Sequence, residues 1–194
     1  MSVKGGMQRS GRDWVWRTEN EELHPDCIDY RKCATGTGMM FWGPFRWGKM
    51  GPSVFFNLDD GKKVNSTIYR DQILTGPLHE FWEGSFGDVE MPIVMEDNAP
   101  PYKKVCIPVR VELRMKCHQH PSNSPDLNPI ENIWAHMKHI ICKEYAHITS
   151  QKVMQEVVVS IWNDFEDYKW DHLIESMPER IQAVIKAKGG STRY

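Results

Sequence analysis

Two carboxylates stand where chemistry is common. Asp97 follows the apolar run 92–95 (PIVM), and Glu131 opens an amphipathic segment, with 33 residues between the two. Acids on separate rigid elements supply the oxygen ligands that hard divalent cations take. A pair brought together by the fold could hold Mg2+ or Mn2+ and activate a water toward a phosphodiester. Each position also has a plainer use. Asn128-Pro129-Ile130-Glu131 suits a helix start, with Asn as cap, Pro at the first helical position and an acid at the third. On spacing alone this is the stronger role for Glu131. Asp97 ahead of Asn98-Ala99-Pro100-Pro101 suits an ordinary turn, because Asp and Asn bond readily to nearby backbone.

Other chemistries have less support. Cys117, His118 and His120, and the helical His136, His139 and Cys142, lack the paired Cys-x-x-Cys or His-x-x-x-His spacing of structural zinc sites. No Ser-His-Asp or Cys-His motif stands out, and Gly36-Thr37-Gly38 is too short for a phosphate-cradling loop. The eight tryptophans could stack on bases, but Trp134 and Trp162 fall on core faces. Lys62-Lys63, Lys103-Lys104 and the Lys186 to Lys188 cluster could touch phosphate, although exposed lysines are the usual case. A formal net charge of −2 gives no bulk signal for nucleic acid.

The elements that must position these residues emerge from periodicity. Hydrophobic residues make up 40% of the 194-residue chain and aromatics 11%, enough for one globular core. Residues 13–17, 38–45, 53–58, 92–95 and 117–120 suit strands, with Asp60-Gly61 as a hairpin turn after the third candidate strand. Helices are expected over 66–86, capped by Ser66 and interrupted or kinked near Pro77, and over 103–115 despite Pro108. The clearest helix is 129–144, where Ile130, Ile133, Trp134, Met137, Ile140 and Ile141 recur at helical spacing. Two more cover 149–165 and 170–188, the last broken at Pro178 and stopped by Gly189-Gly190. Residues 1–12 read as a loop or frayed remnant. No run of about 18 apolar residues and no signal peptide occurs, so a soluble intracellular protein without membrane association is expected. The five cysteines are odd in number and irregularly spaced, which suits free thiols and a reducing compartment.

Met95-Glu96-Asp97-Asn98-Ala99-Pro100, followed by Ser124-Pro125-Asp126-Leu127-Asn128-Pro129-Ile130-Glu131-Asn132-Ile133-Trp134, resembles the DDE/D core of mariner-type transposases. Trp14-Val15-Trp16-Arg17, His24-Pro25-Asp26-Cys27, Met40-Phe41-Trp42-Gly43 and the stretch from Val64-Asn65-Ser66 to Tyr69 are similar to the same family, and the likeness runs nearly to Tyr194. The resemblance implies an α/β, RNase H-like fold: a mixed five-stranded sheet flanked by helices, with C-terminal helices. Residues 13–145 would form the DDE core and 146–194 a helical extension of the same domain.

By this resemblance Asp97 and Glu131 would be the second and third catalytic carboxylates and would coordinate Mg2+ or Mn2+, with Asn98 and Asn128 orienting them from behind. Lys103 and Lys104 would be candidate DNA contacts. In the family the first Asp lies on a central strand upstream of the Trp-Val-Trp-Arg stretch, and residues 1–12 carry no acid. The expectation is therefore an N-terminally truncated, incomplete core. It would lack the first strand, the first carboxylate and the helix-turn-helix region that reads transposon ends, and strand cleavage would be impaired. The implied activity is DNA endonuclease and strand transfer on double-stranded DNA in the nucleus, with a homodimer or full-length transposase as partner. The alternative is a non-catalytic remnant that binds DNA or transposase subunits.

Overall fold

The structure is a computed structural model and describes residues 39–56, 63–97, 99–118, 121, 124–190, 192 and 194. The expected strand at 13–17, the hairpin turn at 59–62 and the 1–12 remnant lie outside the described residues.

The apolar, glycine-interrupted stretch after residue 38 folds into two short antiparallel pairs. β1 (Phe41–Trp42) pairs with β4 (Val54–Phe55), Phe41 opposite Phe55 and Trp42 opposite Val54. Between them β2 (Phe45–Arg46) and β3 (Lys49–Met50) form a hairpin that the sequence pattern did not separate from the first strand. Gly48 takes φ +67 in its turn, a conformation open to glycine at little cost. Two carboxylates pin the hairpin from across the chain: Gly48 N–H donates to Asp171 Oδ1 at 2.7 Å and Met50 N–H to Asp167 Oδ1 at 2.9 Å.

The helix expected over 66–86 is a continuous run of three parts: α1 (Ser66–Tyr69), a π-helical segment (Arg70–Leu78) and α2 (His79–Glu83). Pro77 sits inside the π segment instead of breaking the helix. Proline has no N–H to donate and its ring crowds the carbonyl one turn back, so a wider turn accommodates it where an α-helical turn would not. The cap is Asn65, not Ser66: its side-chain oxygen accepts from the N–H groups of Thr67 and Ile68, both at 3.0 Å.

β5 (Ile93–Val94) pairs in parallel with β6 (Lys116–Cys117), Val94 opposite Cys117, and His118 N–H extends the pair by donating to Val94 O at 2.8 Å. Parallel strands need a crossover, which α3 (Cys106–Glu112) supplies after a 3-10 turn at Pro100–Tyr102. Pro108 is tolerated as the third residue of α3, where the N–H would have no helical partner anyway. Sheet hydrogen bonds among the described residues stay within three two-stranded pairs and do not join the five-stranded sheet that the resemblance implied.

The later helices match their periodicity closely. α4 (Ile130–Glu144) and α5 (Gln151–Asn163) face each other across a core of Ile133, Met137, Met154, Val158, Ile161 and Trp162, which α6 (Asp171–Glu175) closes with Leu173. Burying each large side chain there contributes about 1.5–3 kcal/mol. Gly43 lies so close to Trp162 that a Cβ would stand 2.7 Å from Cζ2, and Trp162 Nε1 donates to Gly51 O at 2.8 Å. The break before α7 (Met177–Lys186) falls at Ser176, with Pro178 in the first turn of the new helix and not at the break itself. A second core gathers Tyr69, Ile73, Leu74, Leu78, Trp82, Cys106 and Met115 between the first helix and α3. Cys106 and Cys117 stand outside any disulfide, whereas Cys142 is disulfide-bonded, so the expectation of thiols without disulfides fails at that position.

Candidate active site

Asp97 and Glu131 line one cleft of about 1060 Å3, together with Glu96, Tyr102, His118, Asn128 and Trp134. Asp97 lies three residues beyond β5, where the strand gives way to the crossover, and its Oδ1 accepts from Ala99 N–H at 3.2 Å. The turn role open to it is thus realised by one oxygen. Glu131 is the second residue of α4. The helix does not start as the capping pattern suggested: Pro129 occupies the cap position, no side chain caps it, and the buried Asn128 contributes its backbone oxygen to Glu131 N–H at 3.1 Å. The Asn128 side chain therefore has no capping duty at α4, and it lines the cleft.

The electrostatics tie these groups together. Burial raises the Glu131 carboxyl above its ordinary value and Asp97 raises it further, with Lys138 opposing. Burial also pushes the Tyr102 phenol up, followed by the charges of Asp97, Glu96 and Glu131. One phenol thus senses all three carboxylates. Among the described residues neither Asp97 nor Glu131 has a lysine, arginine or histidine within 4.0 Å, and both are exposed to the cleft. Two carboxylates from separate segments that open on one cleft could take up a hard divalent cation that keeps several of its waters. No group of three His, Cys, Asp or Glu able to hold an ion occurs among the described residues.

Beneath Asp97 lies a network that spacing did not single out. Glu96 accepts from Arg110 Nη2 on one carboxylate oxygen and from the Tyr69 hydroxyl on the other. Arg110 Nη1 also donates to Tyr102 O at 2.6 Å. Burial raises Glu96 while Arg110 and Tyr69 hold it toward the ionised form. The network fastens the end of the strand to α1, to α3 and to the turn after Asp97. Glu96 is thereby engaged on both oxygens and does not join Asp97 and Glu131 as an open donor. Strand alternation was the available signal, since Glu96 shares the face of Val94, which packs on the second core.

Lys103 and Lys104 are exposed on the loop between Tyr102 and α3, a few residues past Asp97. Asn98 lies outside the described residues. His136 packs against Phe165 and Trp170 with ring centroids 5.7 and 5.2 Å apart, and burial lowers its pKa.

No protein-family model matches the chain. The fold is RNase H-like. It matches the catalytic domain of Mos1 mariner transposase with a TM-score of 0.63 at 16% identity, over 92% of this chain and 100% of that one. It also matches a structure of the Mos1 catalytic domain with raltegravir and Mg, with a TM-score of 0.67 at 19% identity over 79% and 77%. In sequence the chain is homologous to Tc1/mariner transposases. It is 28% identical to the Tcb1 transposase of Caenorhabditis briggsae and 29% identical to the Tc1 transposase of Caenorhabditis elegans, over 95% of this chain in each case. It spans 64% of the length of each of those transposases. Further Mos1 structures were solved with Mn and as a paired-end complex with a transposon end. No helix among the described residues is long and apolar enough to cross a membrane.

Proposed function

We propose that this chain is a transposase-derived DNA endonuclease and strand-transfer domain in which Asp97 and Glu131 hold Mg2+ or Mn2+. The observation that carries the reading is the shared cleft: two carboxylates from separate elements, with no lysine, arginine or histidine of the described residues in ion-pair contact with either, and with Asp97 close enough to disfavour the charge of Glu131. A bound divalent ion supplies charge neutralisation and an acidified water or 3′-hydroxyl for attack at phosphorus. The chain's own part is positional. β5 and the Glu96 network fix Asp97, α4 fixes Glu131, and Asn128, which lines the same cleft, is the described candidate for orienting them, with Asn98 assigned that role by the resemblance alone. Lys103 and Lys104, exposed a few residues past Asp97, are the candidate contacts to a phosphate backbone. The reading carries with it double-stranded DNA as substrate, a nuclear place of action, and assembly with a second copy or with a full-length transposase.

Nicking of supercoiled plasmid in Mg2+ or Mn2+ tests it, with Asp97→Asn and Glu131→Gln as near-isosteric variants. Nicking by the parent chain that both variants abolish supports the site, and equal nicking by all three removes these residues from it. The family's set includes a third carboxylate on an earlier strand, so the same assay reads whether this chain meets the full requirement. The described residues offer only a pair of open donors, which keeps a second reading in play: a non-catalytic domain that binds DNA or transposase subunits. Salt-dependent duplex binding without nicking would favour it.

A further inference from the structure

We infer that Arg180 is a positioning residue for Glu131, a clamp by which α7 sets the geometry of the loop and helix that carry this carboxylate. The inference rests on the reading of Glu131 as a metal ligand. Arg180 is 2% exposed, and its three donor groups reach three separate segments. Nε donates to Ser176 Oγ at 2.8 Å, Nη1 to Asp126 O at 3.0 Å and Nη2 to Asn132 Oδ1 at 2.8 Å. Asp126 and Asn132 flank Asn128-Pro129-Ile130-Glu131, so one planar group grips the chain on both sides of the ligand. A second tie runs from Thr192 Oγ1 to Asp126 Oδ2 at 2.9 Å, and the Tyr194 ring covers the guanidinium, its centroid 4.8 Å away.

Chemistry argues against a filler role. No carboxylate among the described residues forms an ion pair with Arg180: its donors meet neutral oxygens and a ring covers it, while the Asp126 carboxylate supports its charge only from beyond ion-pair distance. Burial lowers its pKa accordingly. Burying a charge in this way costs stability, and an apolar side chain would seal α7 against the loop without that cost. What an apolar side chain cannot do is fix Asp126 and Asn132 at a set separation. Lysine keeps the charge but lacks the planar fork that spans the two acceptors. Because Asn128 offers no side-chain cap to α4, the position of the first turn depends on tertiary contacts of this kind.

Direct Mn2+ binding, read as loss of the free Mn2+ signal in electron paramagnetic resonance on the full chain, tests the clamp with urea unfolding as the control for folding. Arg180→Lys should unfold cooperatively and bind Mn2+ roughly 10–100-fold more weakly, the range found when groups that orient ligands are lost. In the Glu131→Gln background the same substitution should cause no further loss. Asn132→Ala removes one arm of the clamp while leaving Arg180 in place, and should give a smaller loss with the same dependence on Glu131. It carries the test should Arg180→Lys not fold. Equal Mn2+ affinity in the parent chain and Glu131→Gln refutes the metal reading, and the inference falls with it. Binding that depends on Glu131, together with an Arg180→Lys or Asn132→Ala loss that persists in Glu131→Gln, refutes the clamp alone.

Discussion

Arg110→Met probes the support beneath Asp97 most directly. The side chains of Arg110 and Glu96 retain 10% and 16% of their exposure, so the substitution leaves a carboxylate with little water to replace its partner. Removing one member of a buried ion pair costs about 3–5 kcal/mol, and the abandoned Tyr102 carbonyl adds about 1 kcal/mol. A domain of this size is stable by about 5–15 kcal/mol, so the loss is a large share of the whole. Urea unfolding should show a midpoint lower by roughly 2 M at pH 7, with the slope unchanged. The pH dependence gives the sharper check. Burial already raises the Glu96 carboxyl above its ordinary 4.5, and losing the guanidinium raises it further. A folded-state pKa above the unfolded one means the folded state binds more protons, so stability falls as pH rises through that window. The deficit of Arg110→Met should therefore be largest above the raised value and shrink as pH falls toward 4.5, where a protonated Glu96 needs no cation. Adding Glu96→Gln should recover much of the loss at pH 7. A deficit independent of pH, or unrelieved by Glu96→Gln, would refute the charge argument.

Glu131→Gln should raise the thermal midpoint of the metal-free protein at pH 7 and leave it unchanged below pH 4.5. Burial and Asp97 raise the Glu131 pKa, so its ionisation opposes folding as pH rises through the raised value; an increase that appears only at acid pH would reverse the sign. Gly43→Ala should destabilise by about 1–3 kcal/mol in urea unfolding. The new methyl group meets the fully buried Trp162 ring at 2.7 Å, and the bond of that ring to Gly51 O keeps it from yielding; an unchanged midpoint would show that β1 can move away.

The transposase family was legible in the motifs around Asp97 and Glu131, and homology and fold both agree with it. Helices α4 and α5 were legible too, because an apolar stripe every three or four residues is a local pattern that core burial then enforces. The same local logic placed Asp97 at the end of a strand. It failed where competing residues sat side by side, as with Asn65 and Ser66, and where a proline had two outcomes, a break or the wider turn that the helix takes around Pro77. What only the tertiary structure decided are the polar ties across sequence distance: Arg110 on Glu96, Asp171 on Gly48, and Arg180 on Asp126 and Asn132. Hydrogen-bond partners have no period, and a buried arginine and a solvated one look alike in sequence. The types of residue that could do chemistry were therefore readable from the chain. Whether Asp97 and Glu131 face one cleft, and what holds them there, depended on contacts that exist only once the chain has folded.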